Sequence, residues 1–286
     1  MVDFNGEMVH DQNCFLNHRD RGVLFGDSLF ETVRAVNGKI YFWEDHYLRL
    51  MSSMRILRMD IPMSFTMEFL ERSLYNVLEG NNLQHASAGL RMTVFRDKGV
   101  EYTPENNHIS YIIEAEPLAD PFFLLHTEQY EVELFKDFYV NADMLSTLET
   151  NNKMINVLGG IYAKENGYQD VLLLNHNKQV VASVNGNIFM RHGNTIKTPP
   201  LSDGCSNGVI RKKLMEIVRN LKELTLIEDS ISPFDLQKAD ELFVANTWKG
   251  IRPITQYRKK SYDIEVSRNL LGTLNAKARL EQPSVD

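Results

Sequence analysis

Cysteine is nearly missing from this chain: 286 residues contain only Cys14 and Cys205. Two isolated thiols exclude a disulfide-stapled scaffold, and they form neither a CxxC pair nor a metal-ligand spacing. The expectation is free thiols in a reducing cytoplasm. Long apolar runs are missing too. No segment approaches the ~18 consecutive apolar residues that a membrane helix needs. The opening MVDFNGEMVHD carries Asp3 and Glu7 and does not read as a secretory signal. An excess of positive charge is likewise absent. The net charge is −7 and the pI about 5.7, which argues against nucleic acid or an anionic membrane as the partner. A few local arginines could still hold a small anion. There is no internal repeat and no low-complexity tract. What is present is a globular composition, 43% hydrophobic and 24% charged, in a chain long enough to bury a sizeable core.

The patterning predicts an α+β fold in two domains. MVDFNGEMVH and AVNGKIYFW read as strand–Asn-Gly–strand hairpins, because Asn-Gly supplies the positive φ of tight hairpin turns. Between them RGVLFGDSLFETVRA reads as a Gly-rich turn and a strand. Helices follow over EDHYLRLMSSMRILRMDI and TMEFLERSLYNVLEGNN, then strands over AGLRMTVFR and HISYIIEAEP. Residues 1–116 form the expected small domain, 117–122 a proline-bearing linker, and 123–286 the larger domain. In the latter, YEVELFKDFYV reads as a strand, the stretch from DVLLLN to PPL as a meander, and GVIRKKLMEIVRNL as a strongly amphipathic helix. ADELFVANTWKGIRPITQY is a strand, a polar turn and an extension, and VSRNLLGTLNAKARLEQ a last helix.

Four places could carry chemistry. In TNNKMINVLGG, positions 154, 155, 158, 161 and 162 fit a helix face. Gly167 would end the helix, and Thr150, Asn151 and Asn152 are candidate N-caps. Lys153 would then sit in the first turn. A cation there costs about 0.3–1 kcal/mol against the helix dipole, and that field favours the neutral, nucleophilic amine. Gly159 and Gly160 in mid-helix suggest a close neighbour. Taken locally, a solvent-facing lysine remains open. In TPPLSDGCSNGVIRKK, Gly204 and Gly208 lead into a helix whose N-terminus would attract phosphate, although an ordinary loop cap reads the same way. Arg49 in HYLRL lies among apolar neighbours, and a buried arginine needs an anion or a carboxylate. Asn246 and Thr247 in ANTWKG follow an apolar strand, where a hydroxyl could reach a ligand or simply serve a turn.

The order of these features resembles the class-IV aminotransferases. It runs HxxRL, KxxN, NxF, TPPL, a Gly turn with an arginine, and ADELFxxN, from about Arg21 to Pro253. That family comprises pyridoxal 5'-phosphate enzymes of fold type IV, including branched-chain and D-amino-acid aminotransferases and 4-amino-4-deoxychorismate lyase. The resemblance implies a small α/β N-terminal domain and a larger domain with a β-barrel-like sheet and flanking helices. It implies a homodimer, and a small amino acid with a 2-oxo acid as substrates. Lys153, followed by Asn156, matches the lysine that forms the cofactor aldimine and moves the α-proton. Arg49, the N–H groups of Val209 and Ile210 at the Gly208 turn, and Thr247 match the phosphate contacts. Asn187 is the asparagine of NxF. Arg34 and Arg96 are candidates for a substrate carboxylate, against the plain alternative of a solvated strand face.

Three departures from the family pattern stand out. The family's glutamate for the pyridine nitrogen, five residues before Asn187, is Ala182 here. Ser183 or Asn185 could offer a neutral hydrogen bond instead. The tyrosine that often follows KxxN is Val157, and the threonine of GITR is Ile210. FRDKGVEYTP offers Arg96 without a neighbouring Arg/His pair, which ranks D-amino-acid transamination low. SNGVIR favours the lyases, whereas Val100 and Glu101 beside Tyr102 break their loop pattern. Three expectations follow: transamination; pyruvate elimination giving p-aminobenzoate; or cofactor binding with impaired catalysis, motivated by Ala182.

Overall fold

Both Asn-Gly pairs turn the chain with positive φ, 53° and 90° at Asn5–Gly6 and 50° and 77° at Asn37–Gly38. The computed structural model, which describes residues 1–13 and 16–281, divides into two compact units. Cys14 lies outside the described residues. Unit 1 consists of Met1–Phe122, Glu149–Asn152 and the chain from Ala278 on. Unit 2 consists of Phe123–Leu148 and Lys153–Lys277. The chain therefore passes between the units at four points, where a single linker predicts one.

Unit 1 contains β1 (Val2–Phe4), β2 (Glu7–Val9), α1 (Arg21–Phe25), β3 (Ser28–Val36) and β4 (Lys39–Ile40). It continues with α2 (Trp43–Ile56), α3 (Met67–Gly80), β5 (Ser87–Arg96) and β6 (Ile109–Pro117). The strands form one antiparallel sheet in the order β2-β1-β6-β5-β3-β4. The expected Gly-rich turn at RGVLFG is instead the short helix α1, ended by Gly26 at φ 61°. Glu44 and Asp45 suit the first turn of α2, and Thr66 caps α3 by accepting from Phe69 N at 3.2 Å. Met54, Leu70, Leu74 and Val77 from these helices join Val33, Leu90 and Ile113 of the sheet in a fully buried core. Glu149–Asn152 adds to the edge of β3: Phe30 N donates to Glu149 O at 2.8 Å and Asn151 N to Ser28 O at 3.2 Å.

Unit 2 runs β7 (Glu131–Val140), α4 (Met154–Asn166), β8 (Asp170–Asn175), β9 (Val180–Ser183), β10 (Asn187–His192) and β11 (Thr195–Thr198). Then come α5 (Val209–Arg219), β12 (Thr225–Glu228), α6 (Pro233–Lys238), β13 (Glu241–Asn246) and β14 (Gly250–Ile254). The order ends with β15 (Gln256–Tyr257), β16 (Lys260–Ser261) and α7 (Glu265–Leu280), whose last turn passes into unit 1. Two five-stranded sheets, β12-β11-β10-β13-β14 and β16-β15-β7-β8-β9, share one core. Val132 and Leu172 of the second sheet meet Ile188, Leu242 and Ile254 of the first there. The extension after ANTWKG is a paired strand, β14 against β13. No helix among the described residues is long and apolar enough to cross a membrane.

Two details of α4 differ from the sequence expectation. Lys153 is itself the N-cap position, and Thr150, Asn151 and Asn152 serve unit 1 instead. The inward face is the expected one only in part: Ile155, Leu158 and Tyr162 pack on the apolar cluster of Phe135, Val171 and Leu173. Gly159 and Ala163 are buried, whereas Met154 is 66% and Ile161 48% exposed. The close neighbour inferred from the two glycines exists only for Gly159, where a Cβ would meet Val184 Cγ2 at 2.9 Å and Val171 Cγ2 at 3.2 Å. At Gly160 nothing lies within 4 Å.

Candidate active site

The tight turn of residues 183–186 joins β9 to β10, closed by Ser183 N donating to Gly186 O at 2.9 Å. Three pieces of unit 2 are tied to it or to the residue that follows it. Asn156, one turn into α4 from Lys153, donates to Val184 O at 2.9 Å. Asn246, at the end of β13 beside Thr247, donates to Asn185 O at 3.0 Å. Asn187 donates to Ser206 O at 2.8 Å, on the loop that enters α5. The residues carrying Lys153, Thr247 and the Gly208 turn are thus fastened to one short piece of chain. Glycine lets the chain pack closely twice. A Cβ at Gly186 would run into Ala245 O, and one at Gly208 into Asn187 Oδ1.

Beneath this turn lies a buried polar cluster. Tyr130 OH donates to Asp170 Oδ2 at 2.9 Å, and Val171 N to Asp170 Oδ1 at 2.7 Å. Ser183 and Asn185 also bond Asp170. Burial pushes the Asp170 carboxyl above its ordinary value, against those hydrogen bonds. Ser183 and Asn185, the candidates for a ring-nitrogen partner, are therefore engaged with this aspartate. Ala182 packs on the apolar cluster of Phe135, Val171 and Leu173.

Gly208 is the N-cap of α5, with φ −66° and ψ 139°, and as a glycine it offers no side chain of its own to cap that helix start. The first-turn N–H groups, including those of Val209 and Ile210, make a suitable place for a phosphate. Arg211, the arginine of the Gly-turn motif, points elsewhere. Its Nη2 donates to Pro199 O at 2.8 Å and to Glu228 Oε2 at 2.9 Å, which fixes the TPPL stretch. Thr247 sits at the tip of a turn that Asn246 Oδ1 closes by accepting from Trp248 N at 3.1 Å and Lys249 N at 2.8 Å. These groups fit a phosphorylated aldehyde cofactor: an amine at a helix start, a glycine turn packed closely on Asn187, the first-turn N–H groups of a helix and a hydroxyl.

Arg49 belongs to unit 1, where it has the carboxylate partner that its burial demands. Its Nε and Nη2 donate to Glu31 Oε1 and Oε2 at 2.8 and 2.7 Å, and His46 Nδ1 lies 2.8 Å from Glu31 Oε2. Burial raises the Glu31 carboxyl, but the Arg49 charge and the bonds from His46 and Arg49 outweigh it and hold the group below its ordinary value. Burial lowers His46 despite Glu31, so the imidazole is neutral, Nδ1–H donates, and Nε2 is buried with no partner among the described residues. Glu31 was missed in the sequence, where the need of Arg49 for a carboxylate named no residue, and His46 entered only as the first residue of HxxRL.

Arg34 and Arg96, the candidates for a substrate carboxylate, are both engaged within unit 1. Arg34 is fully buried on β3, and its Nη2 donates to Ser87 Oγ at 2.8 Å, to Phe122 O at 3.1 Å and to Asp120 O. Arg96 donates to Asp27 Oδ2, Arg58 O, Asn107 Oδ1 and Leu57 O at 2.5–3.1 Å. Both brace loops of unit 1 through these bonds.

The family model for class IV amino-transferases matches residues 28–257, and the chain belongs to that family. It is a pyridoxal-phosphate-dependent aminotransferase or lyase of fold type IV. A D-alanine aminotransferase of Staphylococcus epidermidis is 25% identical over 259 residues, 89% of this chain and 88% of that protein. A branched-chain aminotransferase structure from Thermoproteus uzoniensis superposes with a TM-score of 0.86 at 23% identity, covering 96% of this chain and 92% of that one. A 4-amino-4-deoxychorismate lyase structure from Pseudomonas aeruginosa gives 0.81 at 24% identity, covering 96% and 98%. The last two likenesses concern the fold.

Proposed function

We propose that this protein transfers the amino group of a small amino acid to a 2-oxo acid with bound pyridoxal 5'-phosphate. The observation that carries the reading is the 183–186 turn with Asn187, to which the pieces bearing Lys153, Gly208 and Thr247 are all fastened. The Lys153 amine would bond the cofactor aldehyde. The Gly208 turn would receive the phosphate on the N–H groups of Val209 and Ile210, with the Thr247 hydroxyl as a further donor and Asn187 as the wall that shapes the turn. Arg49 is assigned to the phosphate by its place in HxxRL. When bound, the cofactor supplies an electron-accepting ring that acidifies the substrate's α-hydrogen. Lys153, released by the incoming amine, would then hold that proton and return it. By family resemblance we also propose a homodimer that works in the cytoplasm.

Two features favour a second reading, elimination of pyruvate from 4-amino-4-deoxychorismate to give p-aminobenzoate: Val157 after KxxN and Ile210 in the Gly turn. Ala182 motivates a third, cofactor binding with impaired catalysis. One experiment orders them. Pyridoxal phosphate is added to the purified protein, the visible absorbance is recorded, and borohydride followed by peptide mapping locates the attachment at Lys153. Protein that stays colourless refutes all three readings. A donor panel including aminodeoxychorismate follows. Pyruvate released without an amino acceptor identifies the lyase, and turnover that depends on an acceptor identifies the transaminase. Activity seen only in Ala182→Glu identifies the impaired protein.

A further inference from the structure

Arg49 is contacted by two carboxylates of different character. Glu31 is 3% exposed, grips the Nε/Nη2 edge, and is gripped in turn by His46. Glu149 is 20% exposed and lies 4.0 Å from the other edge, Nη1. The backbone of Glu149 is fixed on β3 through Phe30 N, so only its side chain can move. Arg91, whose charge also acts on Glu149, has its guanidinium carbon over the Phe30 ring, 4.0 Å from the centroid, and donates to Asn151 Oδ1 at 3.0 Å. With His46 neutral, one guanidinium faces two carboxylates, an unfavourable field for a phosphate dianion unless one of them withdraws. Glu31 cannot withdraw, because leaving it would strand a buried charge. Glu149 can.

We propose that Glu149 is a displaceable internal anion that holds the phosphate-binding edge of Arg49 in the empty protein, while Glu31 is the positioning residue that presents that edge. The inference rests on the reading that Arg49 meets the cofactor phosphate. When phosphate arrives, the Glu149 side chain turns from Nη1 toward Arg91, and its backbone stays paired with β3. Glu149 lies four residues before Lys153, on the segment of unit 1 that leads directly to it.

The test uses full-length protein freed of cofactor and compares pyridoxal phosphate with pyridoxal, which lacks the phosphate. Glu149→Gln removes a part-exposed competitor. It is expected to tighten pyridoxal phosphate roughly threefold, the scale of an exposed ion pair, with pyridoxal unchanged. Glu31→Gln is expected to weaken pyridoxal phosphate at least tenfold, again with pyridoxal unchanged, because losing the two-point grip on Nε and Nη2 releases the guanidinium from its presented orientation, which costs more than the removed charge returns. If Glu31→Gln does not fold, Glu149→Gln decides alone. Equal or weaker binding of pyridoxal phosphate to Glu149→Gln overturns the proposal while leaving the phosphate reading intact. Wild-type protein that binds the two aldehydes equally overturns the phosphate reading and the proposal with it.

Discussion

Replacing Gly208 by alanine tests the cradle directly. The backbone there, φ −66° and ψ 139°, suits any residue, so the cost is steric rather than conformational. The new methyl would press into Asn187 Oδ1, and Arg211 Cβ at 3.6 Å limits escape on another side. To clear it, the Asn187 amide must swing away and give up its 2.8 Å bond to Ser206 O. Losing a hydrogen bond between buried groups costs about 1–3 kcal/mol. Alanine returns about 0.4–1 kcal/mol by restricting the unfolded chain. The net expectation is a destabilisation of about 1–2 kcal/mol, together with weaker cofactor binding as the first-turn N–H groups shift. Asn187→Ala removes the obstacle, so Gly208→Ala in that background should be neutral or slightly stabilising. Urea unfolding of the wild type, both single variants and the double variant gives the coupling, expected at about 1–3 kcal/mol. A stable Gly208→Ala, or strict additivity, would refute the steric account.

Neighbouring glycines of α4 should respond with opposite signs. Gly160→Ala is expected to stabilise by about 0.5–1 kcal/mol through helix propensity, and Gly159→Ala to destabilise by pressing on Val184 and Val171, both read from urea midpoints. Stability should also fall with acid through His46. Its native value lies below the ordinary 6.5, so under that pH the unfolded chain binds a proton that the native one does not. The contribution is complete above about pH 6.5 and shrinks by up to ~1.4 kcal/mol per pH unit as the pH falls toward the native value. Glu31, also lowered, adds a loss of the same sign beneath its ordinary 4.5. Comparing urea midpoints at pH 7.5 and 5.5 for the wild type and His46→Asn isolates the histidine. An unchanged difference in the variant contradicts this assignment.

Local chemistry was legible where it is self-contained. The Asn-Gly turns, the amphipathic helices, and the need of Arg49 for a carboxylate all follow from neighbouring residues. Glu31 answers that need from 18 positions away. Features built from distant backbone groups left no such trace. Arg34 and Arg96 spend their donors largely on carbonyl oxygens, which every residue possesses, so a strut and a substrate anchor look alike in sequence. Glu149–Asn152 is polar and resembles a helix cap, and its strand partner is supplied by β3. Asn156 was recognisable as part of KxxN, but its bond to Val184 O needs the fold. Apolar periodicity found Ile155, Leu158 and Tyr162 on the inward face of α4, but it gives no weight to Gly159 and Ala163, whose smallness permits the closest approach.

Unit 1 has a consequence for the order in which the protein is made. Its sheet and helices lie within the first 122 residues, yet three of its anchors come from the far end of the chain. Lys39 Nζ donates to the carbonyls of Arg279 and Glu281, Phe42 N donates to Glu281 Oε2 at 3.0 Å, and Arg279 lies over the Phe122 ring at 4.9 Å. On a ribosome adding ~5–20 residues per second, those anchors emerge on the order of ten seconds after the sheet does. The unit begun first is thus completed only after unit 2 has been made, and nascent chains must wait with it unsealed until the residues from Ala278 on have emerged.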